Sequence, residues 1–257
     1  MPRLRNSALA AALIVLAACG SAPDTPAAQE RQSPAARLGL MTSLPLYWPL
    51  GADLASLAAP DAAVPWQKAA LSQDYDLLPL DTLSPIPGLT TDAPEVDVPG
   101  EIDRLAIIQP RGLSPSDNVA LDSWVRAGGR LLLVLDPALT GEYDLPLGDP
   151  RRPVDTALIP PVVARWGLAV SFDETQSAKP KDSAFAGTYL PLILAGEVAI
   201  TDPAAADCTI EANGAAARCR VGKGQVTLIA DAAVCEHESF AGEDGIVLRN
   251  LVAEAFR

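Results

Sequence analysis

Cys235 and His237 are the residues that come nearest to a nucleophile and a base, in the segment DAAVCEHES. A catalytic cysteine needs a lowered pKa and a base within hydrogen-bond reach. Residues two apart point to opposite sides of a strand, and they lie about 200° apart on a helix, so these side chains should not meet. Neither a G-x-C-x-G nor a G-x-S-x-G turn surrounds them. We therefore predict a buried thiol beside a solvated histidine, and no catalytic residue.

The sequence supports neither a metal site nor a cofactor. It contains 1 histidine and 4 cysteines, too scattered for the usual zinc ligand sets. The glycine segments at 128–129 and 222–224 match neither G-x-G-x-x-G nor G-x-x-x-x-G-K-[ST], the patterns of nucleotide-binding loops. Four acidic residues lack the spacing of a calcium loop, and we expect them on a solvated charged surface: Glu236, Glu238, Glu243 and Asp244.

Polar residues at the carboxyl ends of the predicted strands form the default candidate site, because ligands of open α/β sheets bind there. We predict a ligand crevice built from Ser43, Gln109, Arg111, Asp136 and Asp231. The alternative is that these residues cap helices and order loops, as polar residues do at this edge in any protein of the class.

Two kinds of chemistry are open to such a crevice. Asp136 and Asp231 follow predicted neighbouring strands, where a carboxylate pair can bind a cation or act as acid and base in a hydrolase or transferase. Alternatively, Arg111, Arg151 and Arg152 offer guanidinium groups for a small anion.

The elements that must position these residues are clearest at 104–137. Residues 105–109 and 131–135 are short apolar runs, as expected for strands covered on both faces. Between them, Ser114 is a suitable helix N-cap and Asp117 lies three residues after it. A Gly-Gly pair ends the helix. Its apolar face is predicted to consist of Ala120, Leu121, Trp124 and Val125.

The rest of the chain alternates between strand and helix patterns. Further strands are predicted at 37–46, 75–80, 168–172, 198–201 and 225–230. Further helices are predicted at 52–59, 65–72, 155–166 and 246–256, the last with Ile246, Leu248, Val252 and Phe256 facing inward. Residues 84–100 and 141–153 are proline-rich and predict surface loops, and 175–191 is ambiguous.

A β-hairpin with a disulfide is predicted at 208–219. Asn213-Gly214 favours a two-residue type I′ turn. In that register Cys208 lies opposite Cys219, at a Cα separation that a disulfide accepts. We therefore predict a Cys208–Cys219 bond, with two free thiols as the alternative.

Residues 1–18 have the pattern of a bacterial lipoprotein signal peptide. Arg3 and Arg5 precede a short apolar stretch that ends in Leu-Ala-Ala-Cys. This motif resembles a lipobox and implies cleavage before Cys19 and lipidation of its thiol, whereas an ordinary secretory signal is the alternative. Residues 19–37 read as a flexible tether. Gly20, in place of aspartate, favours a periplasm-facing outer-membrane anchor over an inner-membrane one.

Residues 38–257 have the composition of one substantial domain. The chain is 49% hydrophobic, which supports a core and argues against general disorder. The net charge of −13 argues against nucleic acid as a partner, because a basic face is needed to neutralise phosphates. It also argues against docking on anionic lipid by charge, so membrane association would depend on the lipid anchor.

Two motifs resemble a known family. The segment IDRLAIIQPRGLSPSDNVALDSWVRAGGRLLLVLDPAL and the pattern G-x-G-x-V-x-x-x-x-D, here 222–231, are similar to GldG-like auxiliary components of ABC-type transport systems. The resemblance implies a class I glutamine amidotransferase-like fold without the nucleophile. We accordingly expect one α/β domain with three layers and a mainly parallel sheet, of flavodoxin or amidotransferase-like type, plus a C-terminal β-hairpin.

The expected function follows from these features. The resemblance implies a non-catalytic envelope lipoprotein that serves as a binding or scaffolding module, auxiliary to an ABC-type transport system. Its partners would be the membrane, through the lipid, and transporter subunits or other envelope proteins. The alternative is a hydrolase, a transferase or a small-ligand binder that uses the polar strand ends.

Overall fold

The computed structural model describes residues 35–88, 90, 95–96 and 99–257. The signal segment, Cys19 and nearly all of the predicted tether lie outside these residues. Among the helices in the described ranges, none combines the length and apolar character needed to cross a membrane.

A seven-stranded sheet with the order β2-β1-β3-β4-β11-β10-β9 forms the centre of the molecule. Its strands are β1 (Ala36–Thr42), β2 (Tyr75–Pro79), β3 (Arg104–Ile108), β4 (Arg130–Val134), β9 (Asp207–Glu211), β10 (Ala216–Val221) and β11 (Gly224–Ile229). The first five in spatial order pair in parallel, whereas β10 pairs antiparallel with β11 and β9. The prediction of an α/β fold with a mainly parallel sheet is therefore confirmed.

Two small antiparallel pairs stand apart from this sheet. β5 (Leu168–Ser171) pairs with β8 (Glu197–Ile200), and β6 (Lys181–Phe185) pairs with β7 (Thr188–Leu192). The predicted strand at 168–172 thus exists but does not extend the main sheet. The ambiguous segment 175–191 contains most of the β6–β7 hairpin, whose polar edge residues obscured its strand pattern.

Seven α-helices lie in the described ranges: α1 (Leu54–Leu57), α2 (Trp66–Leu71), α3 (Pro115–Ala127), α4 (Pro161–Arg165), α5 (Ala233–Glu236), α6 (Glu238–Ala241) and α7 (Ile246–Ala255). The predicted helix at 155–166 is wrong over its first half. Pro160 and Pro161 permit a helix only from the second proline onward, since proline lacks the N–H that helix interiors need.

Hydrophobic clusters cover both faces of the main sheet. Successive strand residues point to opposite faces, so Leu105 and Ile107 join one cluster while Ala106 and Ile108 join the other. Helix α3 contributes Leu121 and Val125 to the first cluster. Helix α7 contributes to the second cluster through Leu248, Leu251, Val252 and Ala255. The prediction that Ile246 faces inward is wrong, because its side chain is 42% exposed at the first turn of α7.

The predicted hairpin register is present between β9 and β10. Cys208 pairs with Cys219, and Asp207 pairs with Arg220. The two cysteines form a disulfide with Cα atoms 4.0 Å apart. Asn213 and Gly214 both have positive φ, as a type I′ turn requires.

Helix α3 begins with the predicted capping arrangement. Ser114 Oγ accepts the backbone N–H of Asp117, and Asp117 Oδ2 accepts the N–H of Ser114. The second oxygen, Oδ1, binds the chain after β2, where it accepts hydrogen bonds from Thr82, Leu83 and Ser84. Burial raises the pKa of Asp117, but these hydrogen bonds outweigh it and hold the pKa well below its usual range. The helix start is therefore anchored to a neighbouring loop.

Candidate functional site

All five predicted crevice residues lie at one edge of the main sheet, where its parallel strands end. Ser43 follows β1 and Gln109 follows β3, while Asp136 and Asp231 come shortly after β4 and β11. Within the sheet, β2 pairs with one edge of β1 and β3 pairs with the other edge. The β1/β3 junction is thus where the strand order reverses, the usual ligand position in open α/β sheets.

Gln109 joins three chain segments at this edge. It is fully buried with a positive φ of 46°. Its carbonyl oxygen accepts hydrogen bonds from the N–H and the hydroxyl of Ser43, at 3.1 and 2.6 Å. Its side-chain NH₂ group donates hydrogen bonds to the backbone carbonyls of Asp136 and Val154. Its side-chain oxygen accepts the backbone N–H of Asp136. Gln109 is therefore a structural junction whose polar atoms are occupied.

The carboxylate oxygens of Asp136 and Asp231 also have hydrogen-bond donors within the protein. They are 0% and 2% exposed. Each carboxylate oxygen accepts a backbone N–H at 2.7–2.8 Å, from Ala138 and Ala232 for Asp136 and from Ala233 and Ile193 for Asp231. The two aspartates thus tie the loops after β4, β7 and β11 to the sheet edge.

Burial dominates the electrostatics of this carboxylate pair. It raises the pKa of Asp136 to about 7 and that of Asp231 to about 8, although the N–H donors favour the charged forms. The charge of Asp136 raises the pKa of Asp231 further. Such values suit acid–base catalysis, but neither residue lines the two cavities at this edge.

A cavity of about 210 Å³ opens at the β1/β3 junction. Ser43 and Arg111 line it, and they are the two predicted crevice residues that do. Arg151 and the aromatic pair Tyr47 and Trp48 complete much of its wall. The aromatic residues come from the loop after β1, which sequence reasoning had not connected with the site.

The three predicted anion-binding arginines differ in their availability. Arg111 is exposed and forms neither a hydrogen bond nor an ion pair with any residue in the described ranges. Arg151 is held by both carboxylate oxygens of Asp149, and this contact lowers the pKa of Asp149 to about 2. Arg152 binds Asp155 and two backbone carbonyls. Only Arg111 therefore presents an unengaged guanidinium to the cavity.

A second cationic side chain, that of Lys68, packs against the aromatic wall formed by Tyr47 and Trp48. Tyr47 and Trp48 pack edge to face with ring centroids 4.6 Å apart. The Lys68 ammonium lies 3.9 Å from the centre of the Tyr47 ring and 5.1 Å from that of Trp48. Trp48 is nevertheless 50% exposed, so part of its ring surface remains available for stacking.

An adjoining cavity of about 360 Å³ shares Pro45, Pro49 and Leu50 with the first. Glu236 is the centre of its polar wall. Its carboxylate accepts hydrogen bonds from the Tyr143 hydroxyl at 2.5 Å and from the backbone N–H groups of Thr140 and Gly141. Glu236 thus fixes the loop after β4.

The expectation that Glu236 belongs to a solvated surface is wrong, because its carboxylate is hydrogen-bonded to the loop after β4. These partners lie more than 90 positions away in the chain, so sequence periodicity could not reveal the contact. Glu238, Glu243 and Asp244 are exposed, as expected. Burial and the nearby Glu236 charge raise the pKa of Tyr143 above its ordinary value, so its hydroxyl stays a hydrogen-bond donor.

Cys235 and His237 form no nucleophile–base pair in the structure. Cys235 is 1% exposed, and burial raises the pKa of its thiol. The ring nitrogen Nε2 of His237 lies 2.9 Å from the Thr140 hydroxyl. A buried thiol with a raised pKa is a poor nucleophile. Among the described residues, moreover, no three His, Cys, Asp or Glu side chains are grouped to hold a metal ion.

Comparisons with known proteins give structural neighbours only. No family model and no curated protein matches the sequence. The neighbours include the exo-β-1,4-mannosidase Op5Man5 from Opitutaceae bacterium strain TAV5, with a TM-score of 0.45 and 16% identity, covering 85% of this chain and 35% of that one. A cold-adapted β-galactosidase from Rahnella sp. R3 has a TM-score of 0.47 and 14% identity, covering 86% and 31%. The GH42 β-galactosidase Gan42B has a TM-score of 0.46 and 14% identity, covering 85% and 30%.

These neighbours correct the expected function. The chain spans about a third of their length, and they are glycoside hydrolases rather than transport components. The prediction of a non-catalytic scaffolding module auxiliary to an ABC-type transport system is contradicted by this comparison. The GldG-like resemblance itself stays a prediction.

Proposed function

We propose that the protein binds a small anionic ligand in the cavity between the ends of β1 and β3. The observation that carries this proposal is Arg111. Its guanidinium has no partner among the described residues, and it lines a cavity at the point where the strand order reverses. A guanidinium can bind a carboxylate or phosphate through two parallel hydrogen bonds.

The walls of the cavity narrow the class of ligand. Trp48 is half exposed and lines the same cavity as Arg111, and pockets of this kind combine apolar walls with a few polar groups that fix orientation. Lys68, above the Tyr47 ring, adds positive charge nearby. The ligand is accordingly a small carboxylate or phosphate with a flat or apolar face that stacks on Trp48.

The geometry supports binding better than hydrolysis. A general acid or base must come within hydrogen-bond reach of the reacting atom. Asp136 and Asp231 are buried, with every carboxylate oxygen accepting a backbone N–H. Glu236 lines the adjoining cavity, but both of its oxygens are taken by the loop after β4. None of these carboxylates is free to face a substrate.

The test is a titration of the purified protein with phenyl phosphate and glucuronate, which combine an anion with a flat or apolar face, and with citrate, which lacks such a face, followed by Trp fluorescence and by thermal unfolding. At least one probe should raise the unfolding temperature. Replacing Arg111 with Ala removes one charge-assisted contact, which is worth about 1.5–3 kcal/mol. The affinity should therefore fall roughly 10- to 100-fold, and Trp48→Phe should reduce the fluorescence response.

Arg220→Ala provides the matched control. Arg220 is also an exposed arginine without a hydrogen bond or ion pair to the rest of the described chain, but it lies toward the opposite end of the sheet. It should leave binding of phenyl phosphate or glucuronate at the Arg111 site unchanged. Equal losses in the two variants, or hydrolysis of a chromogenic glycoside that disappears in Asp136→Asn, would refute the binding proposal.

We also propose that the domain has the three-layer arrangement of flavodoxin or amidotransferase-like proteins. The order of the five parallel strands, β2-β1-β3-β4-β11, supports this, because flavodoxin-like sheets have the order 2-1-3-4-5. An experimental structure with helices on only one face would contradict it.

The lipid anchor at Cys19 and a location in the cell envelope are further proposals, supported by the lipobox-like segment alone. Metabolic labelling with radioactive palmitate in a bacterial host should label the wild-type chain and not Cys19→Ala. If the wild type and Cys19→Ala were both unlabelled and equally abundant in the soluble fraction, the lipid anchor would be excluded.

A further inference from the structure

A groove of about 890 Å³ lies at the end of the sheet where β4 and β11 begin. Five cationic side chains line it, and the only acidic side chain among its lining residues is that of Asp207. The cations are Arg130, Arg218, Arg220, Lys223 and Arg257. This concentration of positive charge occurs in a chain whose net charge is −13.

The strand pattern of β10 places two of these cations side by side. Ala217, Cys219 and Val221 are buried on one face of β10. Arg218 and Arg220 alternate with them and therefore share the other face. With a rise of about 3.3 Å per residue, their Cα atoms lie roughly 6–7 Å apart.

The cations are unequally engaged by the protein. Arg130 binds Asp103 at 2.9 Å, and Arg257 binds Glu254. Arg218 lies 4.0 Å from Glu211, a weak contact. Arg220 and Lys223 form no ion pair or side-chain hydrogen bond within the described ranges, although Asp207 lies opposite Arg220 in the strand register.

The negative end of helix α7 beside the groove is already satisfied. The carbonyl of Phe256 accepts a hydrogen bond from Arg130, and that of Ala255 accepts hydrogen bonds from Thr227 and Gln225. These donors neutralise the last carbonyls of the helix. Arg220 and Lys223 are consequently not needed to cap it.

The groove is held in a fixed shape. The disulfide between Cys208 and Cys219 joins β9 to β10. In the turn that follows β10, the Lys223 N–H donates to the carbonyl of Arg126 at 3.1 Å. A Cβ on Gly224 would lie 2.0 Å from the carbonyl oxygen of Val125, so the turn packs directly on helix α3. A preformed site loses little conformational entropy on binding.

We propose that this groove binds a ligand that carries two or more phosphate groups. Arg218 and Arg220 form the arginine face that contacts one phosphate through planar, forked hydrogen bonds. Lys223 supplies a separate point charge for a second phosphate. The same chemistry is found in a free oligophosphate and in a phosphorylated lipid headgroup.

Titration calorimetry with inorganic tripolyphosphate tests the proposal on the folded chain. We expect saturable binding that weakens as the salt concentration rises. Arg220→Ala and Lys223→Ala should each lower the affinity about tenfold or more, and the double variant should abolish binding. Both side chains are exposed and without partners in the described part of the chain, so the variants should unfold at the wild-type temperature.

Lys179→Ala is the matched control, because it removes an exposed cation that lines neither this groove nor the cavity proposed above. It should leave tripolyphosphate binding unchanged, whereas binding that is lost in Arg111→Ala would place the phosphate in the other cavity and overturn the proposal. No binding of tripolyphosphate, or binding that survives the Arg220→Ala/Lys223→Ala double variant, would overturn the proposal. Tighter binding of single-stranded DNA that depends on the same two residues would also overturn it in favour of a nucleic-acid site.

Flotation with vesicles of phosphatidylcholine, with and without a phosphorylated phosphoinositide, distinguishes the two ligand sources. Co-flotation that requires the phosphoinositide and is lost in the double variant supports a lipid headgroup. Tripolyphosphate binding without co-flotation supports a free oligophosphate.

Discussion

Single residues at the strand ends show how position and role diverge. Ser43, Gln109, Asp136 and Asp231 lie where a ligand site is expected, yet their polar atoms bind the protein's own backbone. Arg111 differs because it is exposed and has no hydrogen-bond or ion-pair partner in the described ranges. Availability of polar atoms, more than location, therefore distinguishes a ligand contact from a loop anchor.

Asp117 is a buried residue of α3 that anchors the start of the helix to the loop after β2, so its removal should lower stability. Asp117→Ala deletes the capping arrangement with Ser114 and leaves the N–H groups of Leu83 and Ser84 without their acceptor. We expect the free energy of unfolding to fall by about 3 kcal/mol, measured by urea denaturation. The same substitution at exposed Asp61 should change it by less than about 0.5 kcal/mol. Similar losses for both variants would contradict this role.

Gly224 illustrates a residue fixed by close packing. In Gly224→Ala the new methyl group would lie 2.0 Å from the carbonyl oxygen of Val125, which is backbone and cannot rotate away. We expect at least about 3 kcal/mol of destabilisation. Gly148→Ala is the control: its φ is +86° but nothing lies within 4 Å of the added Cβ, so only about 1–2 kcal/mol of backbone strain is expected. Thermal unfolding of both variants compares them.

At the scale of elements, the β9–β10 hairpin depends on its cross-link. The disulfide closes a segment with a sequence separation of 11, and loops of this size contribute about 2–3 kcal/mol in the chain-entropy treatment. The double variant Cys208→Ser/Cys219→Ser should be less stable by that amount in guanidinium denaturation. Reductant should destabilise the wild type and leave the variant unchanged, whereas equal sensitivity of both would argue against the bond.

At the scale of the whole molecule, the buried pair Asp136 and Asp231 should govern stability near neutral pH. Their folded pKa values, about 7 and about 8, lie above the ordinary aspartate pKa of about 3.9. Between about pH 4 and about pH 8, the two aspartates keep protons in the folded chain that they release in the unfolded chain. The free energy of unfolding should therefore decrease as the pH rises from about 4 to about 8.

Urea denaturation across this pH range measures the effect. Asp231→Asn removes one titrating group with a raised pKa, so the decrease should be smaller in the variant even if its stability at low pH is reduced. Asp117, whose pKa is lowered, acts in the opposite sense and loses its contribution as the pH falls below about 4. A wild-type stability that rises between pH 4 and pH 8 would contradict the assignment for the aspartate pair.

Features that depend on neighbouring residues could be predicted from the amino-acid sequence. The Ser114 cap, the register of Cys208 and Cys219 and the parallel strands could be predicted, because capping, turn type and apolar periodicity are local. It did not reveal the β6–β7 hairpin or the helix start at Pro161, where the local signals conflict.

The availability of a polar residue to a ligand depends on long-range contacts, which local sequence patterns do not show. Glu236 meets Tyr143 across 93 positions, and Asp136 meets Ala232 across 96. The two cavities at the strand ends and the cationic groove likewise combine residues from distant segments. Such contacts follow from how the strands are ordered in the sheet, and this order results from packing of the whole chain rather than from any local pattern.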